Sequence, residues 1–126
     1  LNPKTGKAVP LQVKCTDKKD FPILNTYWRD YEERLEETIL CDFVFVDISA
    51  LNQPNYCIVS DKNLKDILKS SIKGYANQYQ RRHNLSWEEL LETEERDKKK
   101  QNLWAVKLQQ IEEFRDKWET ITDRLH

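Results

Sequence analysis

The chain has 126 residues, a length that fits one domain on the usual scale of about 100–200 residues and allows one real core. Charged residues make up 34% and hydrophobic residues 38%, yet four Trp, five Tyr and four Phe are present, which excludes a disordered chain and predicts a folded domain with a highly charged helical part. The net charge of −1 announces no nucleic-acid binder, so any attraction for phosphate has to come from a local patch. The longest apolar run, Phe43-Val44-Phe45-Val46, is far short of the roughly 20 residues of a membrane span. No signal peptide is visible, and a cytoplasmic protein is expected.

In chain order, Asn2-Pro3-Lys4-Thr5-Gly6-Lys7 is a turn sequence, and Ala8 to Thr16 is an alternating run that reads as the second half of a hairpin. Leu11, Val13 and Cys15 then face one side of the sheet, and Gln12, Lys14 and Thr16 the other. The chain opens at Leu1 without an initiating Met and is already turning four residues in, so its natural N-terminus is expected upstream. Asp17 to Phe21 reads as a charged loop. Trp28, Tyr31 and Leu35 at helical spacing predict a helix over residues 26–38. Leu40–Ser49 and Tyr56–Ser60 are strands by their Val, Ile, Phe and Tyr content, joined in a hairpin through the turn-forming residues 50–55.

From Asp61 the period changes to 3.6, with Leu64, Ile67, Leu68, Ile72, Tyr75, Ala76 and Tyr79 in one stripe and Asp61 or Asn63 as the cap. Gly74 is expected to fray or bend this helix, at a cost of about 1 kcal/mol relative to Ala. Ser86-Trp87-Glu88-Glu89 is a capping box that starts a new helix at Trp87. It continues as a solvated stretch to Lys100, supported by Glu94–Lys98 and Glu95–Lys99 pairs at i,i+4. Trp104, Leu108, Ile111, Phe114, Trp118, Ile121 and Leu125 step by three or four and predict an amphipathic C-terminal helix. That helix is expected to close over the core or to form a homodimer interface. The three cysteines, Cys15, Cys41 and Cys57, are odd in number and lack CxxC spacing, so they read as buried free thiols in a reducing compartment.

Gln12-Val13-Lys14 is the triplet with chemical potential, because Gln12 and Lys14 project to one face while Val13 is expected to anchor the strand. An oxygen ligand and an ammonium so placed suit a metal-dependent phosphodiesterase, where the ammonium orients or deprotonates the attacking water and steadies developing charge. The same pattern is also that of any half-exposed strand. With the preceding Asn-Pro-Lys-Thr-Gly-Lys turn and the following Cys15-Thr16, however, the segment resembles the hairpin of small PD-(D/E)XK nuclease-like proteins, over roughly residues 1–60. The resemblance implies an α/β fold with a restriction-endonuclease-like mixed β-sheet flanked by helices, and a C-terminal helical extension. Residues 1–83 would be the nuclease-like core, with its N-terminal part missing, and 84–126 the extension, packing on the core or on a dimer partner. It further implies Gln12 as metal-facing and catalytic residue, the Val13 carbonyl as a ligand, Lys14 as catalytic lysine, and Mg²⁺ or Mn²⁺ as cofactor. The principal acidic ligand would fall before Leu1, leaving the chain as given inactive.

Lys62, Lys65, Lys69 and Lys73 recur every three or four residues, with Arg81-Arg82-His83 beyond them. They form either a solvated helix face or a strip tracking a phosphate backbone, with Lys65, Lys69, Lys73, Arg81 and Arg82 as nucleic-acid contacts and DNA the favoured partner. Tyr75 and Tyr79 read as core rather than as base-stacking platforms. Asp17 and Asp20 read as solvated loop acids, Asp42 and Asp47 as an end residue and an edge charge, and Glu32, Glu33, Glu36 and Glu37 as an exposed helix face. With two His and two Gly, the chain offers no His-based metal cluster, catalytic triad or phosphate-cradling loop. Three functional classes remain: a divalent-metal-dependent nuclease, a nuclease-like binding module without chemistry, and a protein-interaction domain using the charged helices.

Overall fold

The computed structural model of the protein describes residues 4, 6–50 and 52–125. Half of the turn expected at residues 2–7 (residues 2, 3 and 5) lies outside these, but Gly6 is described and has φ +70°, the left-handed conformation for which glycine is suited. The first strand, β1 (Leu11–Thr16), is followed by β2 (Asp20–Thr26), a 3-10 turn at Trp28–Asp30, helix α1 (Tyr31–Thr38), and β3 (Asp42–Asp47) with β4 (Asn55–Val59). Then come helices α2 (Asp61–His83) and α3 (Trp87–Arg96), strand β5 (Asn102–Lys107), and two short helices, α4 (Leu108–Ile111) and α5 (Glu119–Thr122). The fold is α/β with one mixed sheet. In that sheet β1 runs parallel to β3 and β3 antiparallel to β4, in the order β1-β3-β4, while β2 and β5 form a separate antiparallel pair. Strands 9–16 and 41–60 therefore share a sheet, as the hydrophobic runs predict. The parallel step from β1 to β3 spans β2 and α1, as such crossovers require.

The core explains which elements form. Phe43 and Phe45 of β3 and Cys57 and Val59 of β4 pack with Leu64, Leu68, Ile72 and Ala76 of α2, Leu35 of α1 and Phe21 of β2. Helix α2 starts at an N-cap one residue earlier than predicted: the Asn63 N–H donates to Ser60 Oγ at 3.1 Å, so neither Asp61 nor Asn63 is the cap. It runs through Gly74 without interruption to His83, because the stripe on either side is held by packing, which outweighs the glycine's conformational entropy. A Cβ at Gly74 meets nothing within 4 Å. Gly74→Ala is accordingly expected to raise stability by about 0.5–1 kcal/mol, read as a higher urea midpoint with an unchanged slope.

Three readings of secondary structure are corrected. Residues 20–26, expected as loop and helix start, are a strand whose inward residues are Phe21, Leu24 and Thr26. The register shifts between Pro22 and Leu24, and this bulge breaks the period of two that marks a strand in sequence. The predicted helix over 26–38 narrows to the 3-10 turn and α1. The single C-terminal helix is replaced by β5, short helical turns and extended backbone. Trp104 and Val106 lie opposite Leu24 and Phe21 on the β2–β5 ladder, so their spacing belongs to a strand. Farther on, Asp116 has φ +55° and its N–H donates to the Tyr56 carbonyl at 2.9 Å, which draws the backbone out of helix and along the edge of β4. The apolar stripe left for a dimer partner is used within the chain: Ile111 is fully buried, Phe114 packs on the main core and Ile121 on the second cluster formed by Val44, Val46 and Ile58. Among the described residues, segment 84–125 is thus built into the same core, to which Leu90 and Val106 also belong.

The capping box of α3 is present, with the Glu89 N–H donating to Ser86 Oγ (3.2 Å) and the Ser86 N–H to Glu89 Oε1 (3.1 Å). Its charged end is not simply solvated. Glu94 is buried, and its carboxylate accepts the N–H groups of Trp28 (3.1 Å) and Arg29 (3.3 Å), while Glu95 pairs with Arg29 at 3.0 Å. These contacts, rather than the expected pairs with Lys98 and Lys99, fix the end of the helix. All three cysteines are free, but Cys15 is exposed and Cys41 only half-buried, leaving Cys57 as the one buried thiol. Among the described residues no helix is long and apolar enough to cross a membrane.

Candidate functional site

The register of β1 on β3 fixes where the sequence-selected triplet points. Gln12 lies beside Phe43 and Lys14 beside Phe45, whereas Val13 lies beside Val44 and Cys15 beside Val46. Side chains alternate across the sheet, so Gln12 and Lys14 share the face of the main core and Val13 the opposite one. Gln12 is exposed and Lys14 half-buried. Val13 is not an anchor: it is 58% exposed, because β1 is the outermost strand and the second cluster is built on β3 and β4. The outer edge of β1 carries no ladder among the described residues, which leaves its backbone donors and acceptors open to another strand.

Two aspartates close to this strand are structural in ways that the sequence did not reveal. Asp47, expected as an edge charge, instead ends the central strand, whereas Asp42 is 3% exposed and begins it, the end residue that the sequence predicts. Asp42 Oδ1 accepts the Asp61 N–H at 3.0 Å, and Arg124 Nε stands 2.7 Å from Oδ2 as an ion-pair contact rather than a well-directed hydrogen bond. By alternation it falls on the face opposite Gln12 and Lys14. Next to it, burial and the Asp42 and Asp61 charges push the Cys41 thiol above its ordinary pKa.

Asp47 is also buried, and the register sets it beside Thr16, on the same face as Gln12 and Lys14. Ser49, through its hydroxyl and through an N–H that donates to Asp47 Oδ1 at 3.0 Å, holds this carboxyl below its ordinary value of 3.8, with help from Asn55 and the Arg115 charge. A depressed folded pKa contributes stability that is complete above the unfolded value and disappears as pH falls through the folded one. Asp47→Asn should therefore cost stability at pH 7 and much less at pH 3, checked by urea unfolding at both values.

Among the described residues no group of three or more His, Cys, Asp or Glu is arranged to hold a metal ion. Gln12 and the Val13 carbonyl provide two neutral oxygens, which do not make a site for Mg²⁺ or Mn²⁺ by themselves. Asp17 and Asp20 are exposed, as expected, and so are Glu32, Glu33, Glu36 and Glu37.

The basic residues of α2 divide into two groups. At about 100° per residue, Lys65, Lys69 and Lys73 form one row, while Arg82 lies about 180° around the helix from Lys73, on the flank of Tyr75 and Tyr79. Arg81 falls between them. Within the row, Lys65 is engaged by Glu36 at 3.0 Å, which leaves Lys69 and Lys73 as its outward charges. Tyr79 joins the core margin as read, but Tyr75 is 52% exposed. In comparisons with family models, curated proteins and solved structures, nothing matches this chain.

Proposed function

We propose that the protein acts in divalent-metal-dependent cleavage of nucleic-acid phosphodiesters, in the manner of the PD-(D/E)XK type. The observation that carries this reading is the position of Gln12 and Lys14: one face, two residues apart, on a strand that runs parallel to β3 and has no ladder on its outer edge among the described residues. A further strand hydrogen-bonded along that edge would bring its own side chains level with Gln12 and Lys14. One acidic residue there is what the site requires. Lys14, half-buried at the sheet margin, then has an apolar floor in Phe43 and Phe45 to hold its stem and an open side for its ammonium. In this role it orients the attacking water and neutralises charge that develops on the phosphate oxygens. Gln12 contributes a neutral oxygen where Glu would be charged, so cation affinity is expected to be weak.

The test uses the complete gene product with single- and double-stranded DNA and RNA, in Mg²⁺ or Mn²⁺ and again in excess chelator. Cation-dependent cleavage is the expected result. No cleavage of any of these substrates, with the protein folded, would leave the nuclease-like binding module as the better reading.

A further inference from the structure

The end of the molecule formed by the last turns of α2, the 3-10 turn after β2 and the loop after α3 carries features that the proposed catalytic strand does not use. Three chain segments meet around Tyr79. Its ring lies 5.3 Å from that of Trp28 and 4.2 Å from that of His83, and Lys99 Nζ both donates to its hydroxyl at 2.9 Å and stands 5.0 Å from the ring centroid. One turn back along α2, Tyr75 is stacked on Trp28 (6.0 Å, 26°) and meets Trp104 edge-on (5.7 Å, 78°). Tyr75 is thus held on two sides by tryptophans and still half open to solvent, an aromatic plane whose orientation is fixed in advance.

Trp28, on which Tyr75 stacks, is flanked in the chain by Tyr27 and Arg29, which with Lys98 and Lys99 line part of a cleft of about 420 Å³. The acids of the same cleft are already engaged. Glu94 is occupied by two backbone N–H groups, Glu95 by Arg29, and Asp30 Oδ1 accepts the Thr26 hydroxyl at 3.1 Å. Lys98 of this cleft, and Lys100, Arg81 and Arg82 outside its walls, form no ion pair within 4.0 Å among the described residues. Lys98 has φ +48°, in the sparsely used left-handed region.

We infer that this cleft, together with the Tyr75 ring and Arg82 on the flank of that ring, is a binding groove for single-stranded nucleic acid, separate from the Gln12–Lys14 strand. The chemistry of such a ligand matches what is present. Unstacked bases bind aromatic planes whatever their sequence, and successive phosphates bind unpaired lysines and arginines. A duplex hides its base faces and cannot use Tyr75.

The experiment is fluorescence anisotropy of a labelled oligothymidylate of about 15 nucleotides, within the upper range of single-strand site sizes, against the full chain in excess chelator. Chelation keeps the result independent of cleavage, so failure here and failure of the nuclease reading are distinguishable. Tyr75→Ala is expected to weaken binding about tenfold. Arg82→Glu combined with Lys98→Asn, both at exposed positions and the second suited to positive φ, is expected to weaken it further and to reduce the salt slope by about two. A self-complementary duplex of similar length should bind more weakly and be insensitive to Tyr75→Ala. The inference is overturned if the wild-type chain does not bind the oligothymidylate, if the exposed charge variant binds it unchanged, or if duplex and single strand bind equally. Because the charge variant leaves the core untouched, it decides the matter even if Tyr75→Ala unfolds the protein.

Discussion

Lys14→Ala in the complete gene product is expected to lower the rate of cation-dependent cleavage by about 10²–10⁴-fold, the usual contribution of a positioned proton-transfer or charge-stabilising group. Folding should be unaffected, because Lys14 is half-buried on the outermost strand and substitutions at such positions usually change stability by less than about 0.5 kcal/mol. Binding measured in chelator should also be retained, since it rests on charges elsewhere. The measurement is single-turnover cleavage of a labelled substrate beside a urea melt of the same sample. Cleavage at the wild-type rate by a folded Lys14→Ala protein would sink the catalytic assignment.

Glu94→Ala is expected to have the largest effect on stability. Truncation leaves the buried Trp28 N–H and the partly buried Arg29 N–H without their acceptors, and each orphaned donor of this kind costs about 1–3 kcal/mol. A combined loss of about 2–4 kcal/mol is expected, read from urea unfolding followed by circular dichroism. Glu94 is also the link between α3 and the chain as it leaves β2, so the loss should be accompanied by earlier hydrogen exchange at Trp28 and Arg29. The neighbouring Glu95→Ala removes only an exposed ion pair with Arg29 and should cost under about 1 kcal/mol. If the two substitutions prove equally mild, the carboxylate of Glu94 is not what holds this junction.

The elements legible in the sequence are those whose signal is local. Phe43-Val44-Phe45-Val46 is a strand because an unbroken β-branched and aromatic run satisfies both faces of a central strand, and Ser86 with Glu89 starts a helix through bonds contained in four residues. The alternation of Gln12 and Lys14 onto one face also follows from strand geometry alone. Tertiary structure decided the rest. Residues 20–26 are a strand only because β5 pairs with them across a bulge, and the bulge erases the period that would have announced it. Trp104, Leu108 and Ile111 have helical spacing, yet their backbone changes from strand to helix at Leu108, since pairing with β2 satisfies residues 102–107 better than a helix would.

For the candidate sites the division is similar. Sequence by itself determined the chemistry of the groups available: an amide and an amine two residues apart on a strand, a basic α2, and too few histidines for a metal cluster. It did not determine which charges are free. Glu94 and Asp42 are carboxylates in a highly charged chain, and nothing nearby in sequence distinguishes them from their solvated neighbours. Their burial is set by partners 66 and 19 residues away, and Lys65 is likewise taken up by Glu36 across the helix pair. Nor does the sequence show that Tyr75 lies half exposed between two tryptophans from different strands and turns. Helical periodicity places a residue on a face of its own helix, but only the packing of distant segments decides how far the core extends over that face.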